Sequence, residues 1–211
     1  MRHECFLGFL WIQVRKILLA TENLKEEHEV VLRMIKVLVV ASDKLERGEA
    51  VSVDVFKKAV DFVRTFADRC HHAKEEDTLF PVLEKRGILR HRGPIAVMLM
   101  EHEQGRLFVK GLNEAVEKYE KGDKAAKTAI IENARGYADL LDQHIYKEDN
   151  ILYPMGDKVL SETDNGELLD KFEKIEKDII GEGKHEYYLQ MIGELEEELG
   201  IESGGEMKDE H

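Results

Sequence analysis

A motif that occurs twice sets the terms for this chain of 211 residues. The first copy reads His71-x-x-x-Glu75-Glu76-x-x-Leu79-Phe80-Pro81, and the second reads His144-x-x-x-Glu148-Asp149-x-x-Leu152-Tyr153-Pro154. In both, a His, a Glu, a second acid, a Leu, an aromatic and a Pro stand at offsets 0, 4, 5, 8, 9 and 10. A Glu-His dipeptide lies upstream of each copy. His28 of Glu27-His28 stands 43 residues before His71, and His102 of Glu101-His102 stands 42 before His144. A His-helix followed by a His/Glu-helix therefore repeats with a period of 73 or 74 residues. This predicts a bundle with pseudo-two-fold symmetry.

Residues four apart share a helix face, so His71 points with Glu75 and His144 with Glu148. The apolar neighbours say which way that face looks. Tyr137, Leu140, Leu141, Ile151 and Leu152 run through the second copy; Leu24, Val31, Leu32 and Ile35 flank His28, and Met98, Leu99 and Val109 flank His102. The face is inward. A lone carboxylate there loses several kcal/mol of hydration, and two of them repel each other. Four imidazoles and two carboxylates converging in one core are best explained by bound cations. The expected ligands are His28, His71, Glu75, His102, His144 and Glu148.

Composition supports the helical reading. Charged residues make up 36% of the chain, well above the roughly 25% usual for soluble domains, and there are three prolines. Periodicity and punctuation predict helices over Thr21–Glu46, from Ser52 or Asp54 to Lys85, Ile95–Lys121 and from Asp123 to Lys158. A fifth amphipathic segment, Glu167–Leu199, is interrupted by Gly181 and Gly183. The expected fold is all-α, an up-down antiparallel four-helix bundle over residues 21–160. An N-terminal helical extension (1–20), an extra C-terminal helix (161–200) and a disordered tail (201–211) are expected around it. A net charge of −13 argues against nucleic acid as a partner. The longest apolar run, Cys5 to Ile12, is far short of the roughly 20 residues of a membrane span. With Cys5 and Cys70 too few for a disulfide framework, a cytoplasmic protein is expected. The apolar N-terminal stretch suits docking on the domain itself or on a partner subunit, and the latter would make the chain a homo-oligomer.

Mixed imidazole and carboxylate donors without thiolate suit iron, manganese or zinc. Six ligands over two ions, both Glu bridging, leave an open position, which favours a reactive iron pair over closed structural zinc. The repeated motif with its Glu-His dipeptides resembles the hemerythrin-like, or HHE cation-binding, family over roughly Thr21 to Lys158. The resemblance implies a four-helix bundle with two non-haem irons joined by an oxo or hydroxo bridge (Fe-O-Fe), held by the six residues above. It implies roles in binding or sensing dioxygen, nitric oxide or iron. Oxygen carriers of that family have a His-x-x-x-His pair on the third helix; here Met98 and Arg106 flank His102 at four residues, which argues for a more open iron. The same motifs are similar to the di-iron family that repairs damaged iron–sulfur clusters, whose extra N-terminal Cys-bearing domain nothing in this sequence matches.

The leading expectation is a binding or sensing protein for dioxygen, nitric oxide or iron. The alternatives are a di-iron enzyme acting on peroxide, nitric oxide or ferrous iron, and a partner-binding module that the metal only staples. Around the ligands, His72 is read as solvent-facing, and Glu76 and Asp149 as carboxylates that orient imidazoles. The Leu-aromatic-Pro segments are read as core packing and helix termination, Tyr137 as ordinary core, Cys70 as a packed thiol and Glu194–Glu198 as a solvated acidic face.

Overall fold

The computed structural model describes residues 19–181 and 183–202. The N-terminal extension up to residue 18 and the tail from 203 lie outside them. Four long helices form the bundle. α1 is Ala20–Glu46. α2 spans 53–85 as Val53–Phe62, a π-helical stretch Val63–His72, a second one Glu75–Leu79, and Phe80–Lys85. α3 is Pro94–Glu120. α4 spans 126–157 as Ala126–Lys147, π-helical Glu148–Leu152, and Tyr153–Asp157.

Side-chain pairs fix the directions. Between α1 and α4, His28 meets Asp149 while Asp43 meets Arg135. Between α2 and α3, Lys57 meets Glu120 while Asp68 meets Arg106. Each pair runs antiparallel, as an up-down bundle requires. Close approach of α3 to α4 relies on small residues: a Cβ at Gly136 would stand 2.5 Å from the Phe108 ring.

Helix ends differ in places from the sequence reading. α1 begins at Ala20, one residue before Thr21, after Leu19, and α4 begins at Ala126 rather than Asp123. The first amide of α1 is satisfied from outside, by Asn165 Oδ1 at 3.0 Å, and the Thr21 hydroxyl donates to Asp157 at 2.7 Å. The prolines do not end their helices. Pro81 and Pro154 sit in the first turn after a π-helical segment, where the widened turn absorbs the missing N–H.

The C-terminal appendage is two helices rather than one. α5 is Glu162–Ile179, opened by a capping box in which Ser161 and Asp164 satisfy each other's backbone amides. α6 is Lys184–Leu199. Gly181 and Gly183 lie between them, both with positive φ (79° and 77°), a conformation that stops a helix. Both helices pack on the bundle: Leu168 and Phe172 are buried, as are Tyr188, Ile192 and Leu195. Glu196 is not part of a solvated face; it is 3% exposed and held by Arg33 through two hydrogen bonds.

The buried apolar residues form two clusters. One, with Leu24, Leu79, Phe80, Met98, Leu152 and Phe172, occupies one end of the bundle. The other, with Val31, Phe66, Val109 and Leu141, fills the rest. On each bundle helix the motif residues lie at or beside the junction of the two sets.

Candidate metal centre

All six residues expected as ligands are buried between those two apolar layers. His28 comes from α1, His71 and Glu75 from α2, His102 from α3, and His144 and Glu148 from α4. The imidazoles form two pairs. His28 Nε2 lies 3.1 Å from His71 Nε2, and His102 Nε2 lies 3.1 Å from His144 Nε2.

Each of these rings has its other nitrogen on a carboxylate. His28 Nδ1 meets Asp149 at 2.8 Å, His71 Nδ1 meets Glu27 at 2.9 Å, His102 Nδ1 meets Glu76 at 2.7 Å, and His144 Nδ1 meets Glu101 at 3.0 Å. An ionised carboxylate only accepts, so Nδ1 carries the proton in all four. Wherever both rings of a pair are neutral, their Nε2 lone pairs then face one another across 3.1 Å. Two lone pairs at that range repel, whereas two nitrogens bound side by side to one ion, with bonds of about 2.1 Å, stand about that far apart.

The carboxylates tell the same story. Glu148 Oε2 is 3.3 Å from His28 Nε2, and its Oε1 is 3.3 Å from His144 Nε2, so one carboxylate spans both pairs. Glu75 Oε2 lies 3.8 Å from His71 Nε2 and 3.4 Å from His102 Nε2. Glu75 Oε2 and both Glu148 oxygens are buried and receive no hydrogen bond. Orphaned oxygens of this kind, facing four converging imidazoles, are what a cation would satisfy. Without one, burial and the charge of Glu148 push Glu75 well up, so that it holds a proton. Glu148 is also buried, but His144 and His28 hold it below the usual carboxylate range. Burial and the neighbouring His28 push His71 well down; burial and His72 do the same to His102. Burial works against the His28 cation too, yet its bond to Asp149 and the nearby charge of Glu148 outweigh this and lift it to about 9.

His72 departs from the sequence reading: it is 5% exposed. An ideal α-helix would turn it 100° away from His71, toward Asp68 and Glu76. The π-helical stretch ending at His72 has more residues per turn and carries both histidines inward. Its ring stacks on His102 with centroids 3.8 Å apart. Ligand atoms of His72, Glu75, His102 and His144 lie within 4.8 Å of one another, as do those of His28, His71 and Glu148.

The roles read for Glu76 and Asp149 agree with their bonds to His102 and His28. The matching role of Glu27 and Glu101 was missed, although both are in the repeat as the first residue of each Glu-His dipeptide. So were Lys74 and Lys147, which stand at offset 3 in both copies and pair with Glu27 and Glu101. Tyr153 does more than pack. It donates to Glu75 Oε1 at 2.8 Å and lies parallel to His28 with centroids 5.6 Å apart. Its counterpart Phe80 lies parallel to His102, 6.2 Å between centroids, and has no hydroxyl to donate. Cys70 is a packed thiol, pushed up to about 12 by burial.

A cavity of about 90 Å³ reaches the His102/His144 pair between α2, α3 and α4. His72, Gly105, Val109, Tyr137 and Leu141 line it, together with Arg64, Arg106 and Lys110. Tyr137 is buried, with its hydroxyl unpartnered.

Comparison with known proteins places this arrangement. An uncharacterized protein of Mycobacterium tuberculosis is 23% identical over 182 residues, covering 86% of this chain and 71% of that protein. An uncharacterized protein of Mycobacterium bovis matches to the same extent. The iron-sulfur cluster repair protein YtfE of Salmonella schwarzengrund is 29% identical over 122 residues, which is 56% of this chain and 55% of that protein. Residues 19–156, well over half of the sequence, match the model of the Hemerythrin HHE cation binding domain, and the chain belongs to that family.

Proposed function

We propose that this chain is a non-haem di-iron protein that binds or senses a small ligand such as dioxygen or nitric oxide, or iron itself. His28, His71, Glu75, His102, His144 and Glu148 are its ligands in this reading. The observation that carries it is the convergence of two imidazole pairs, each with Nε2 atoms 3.1 Å apart, on buried carboxylate oxygens that receive no hydrogen bond. Nitrogen and oxygen donors without thiolate suit iron, zinc or manganese. Similarity to a protein named for iron–sulfur cluster repair favours iron.

An iron pair held there would supply a redox-active centre for a ligand of few atoms. The rest belongs to the chain. Glu27, Glu76, Glu101 and Asp149 fix the tautomer and tilt of the four rings, and Tyr153 fixes Glu75. The cavity of about 90 Å³ is well below the roughly 300 Å³ at which pockets begin to take organic substrates. It selects for small molecules.

Reconstitution with ferrous iron under anaerobic conditions, followed by admission of air, tests the proposal. The expected result is new near-ultraviolet absorption with about two irons retained per chain, one for each cluster of ligand atoms. A folded protein that retains no iron after this treatment would overturn it.

A further inference from the structure

We infer that His72 is a fifth imidazole ligand, serving the His102/His144 end of the site. The inference rests on the metal-centre reading above and extends it to a residue outside the repeat. Three observations support it. A ring nitrogen of His72 lies within 4.8 Å of ligand atoms of Glu75, His102 and His144. Ligands at opposite corners of one ion are about 4.2 Å apart for bonds of about 2.1 Å, so this group spans little more than a single coordination sphere.

The surroundings of His72 also repeat those of the other four rings. Its Nδ1 faces a carboxylate, Asp68, at 3.5 Å, which leaves Nε2 for the interior. Asp68 is held in turn by Arg106 at 2.7 Å, and the same guanidinium holds Glu76, the partner of His102, at 2.7 Å. Arg106, on α3 four residues after His102, thereby supports the carboxylates of two imidazoles.

Finally, the pseudo-symmetry breaks here. The position one residue after His144 is Ile145, also buried. The fold therefore accepts an aliphatic side chain at this place in one half, and an imidazole in the other is costly to bury unless it has a polar task. The two ends of the centre are consequently unequal: three imidazoles beside the cavity and two at the end where Tyr153 lies against His28.

Loading the full chain with cobalt(II) counts the ligands directly, because each bound imidazole gives one solvent-exchangeable, paramagnetically shifted N–H proton resonance. The wild type should show five such resonances, from His28, His71, His72, His102 and His144. His72→Gln should show four and should release one of its two cobalt ions to a chelator at least about 10-fold more readily than wild type, since lost ligand support costs affinity on that scale. Asp68→Asn keeps the ring and should shift one resonance only. Four resonances in a wild type carrying two cobalt ions would overturn this inference and leave the metal centre standing. A wild type that takes up no cobalt would overturn both.

Discussion

Four histidines and two glutamates buried in a helical interior are unstable company without a cation, and single substitutions should expose this. Glu75→Gln replaces an acid that burial beside Glu148 forces to hold a proton by an amide that needs none. The metal-free protein should become more stable by about 1 kcal/mol, raising its melting midpoint by roughly 2–4 °C, while iron retention falls. A calorimetric scan with and without metal measures both signs at once. Glu101→Gln leaves the His144 ring in place without its carboxylate, and metal affinity should fall about 10- to 100-fold in a chelator competition. That the six expected ligands are buried together could be read from sequence because i, i+4 spacing and flanking apolar residues both point inward. Glu27, Glu101, Lys74 and Lys147 carried the same repeat signal, but as charged residues they looked like solvated surface. Lys74 is fully buried, paired to Glu27 and also to Glu176 of α5 at 3.2 Å.

Helix existence was legible from period, and helix character was not. The π-helical segments Glu75–Leu79 and Glu148–Leu152 occupy equivalent places in the repeat, directly before each proline. Nothing in hydrophobic spacing distinguishes a turn closed at i+4 from one closed at i+5, so His72 was placed on the wrong face. The break between α5 and α6 was signalled by Gly181 and Gly183, whereas the start at Ser161 lay in a capping box that the periodicity missed. α5 covers the end of the bundle through Leu168 and Phe172. Phe172→Ala should therefore destabilise the whole chain by about 3–5 kcal/mol, read as a lowered urea midpoint. A loss below about 1 kcal/mol would mean that α5 packs loosely.

Across the whole molecule, the proposed metal site would tie four helices together through groups that must shed protons to bind. In the metal-free protein Glu75 is held protonated by burial and its neighbour, and His28 keeps a proton up to about 9. Metal binding should release protons, and affinity should rise with pH up to about 9. For His28 alone, whose pKa is raised on folding, the metal-free fold is stabilised below about 6.5 and loses that contribution as pH passes 9. Bound metal replaces it, so the stability gap between loaded and stripped protein should widen with pH. No helix among the described residues is long and apolar enough to cross a membrane, and none of these measurements needs a bilayer. The most direct one is elemental analysis of protein reconstituted with ferrous iron, set against the His28→Ala/His102→Ala double variant. About two irons per wild-type chain and a loss of most of them in the variant is the predicted result. Wild type without iron, or a variant that retains as much as wild type, would contradict it.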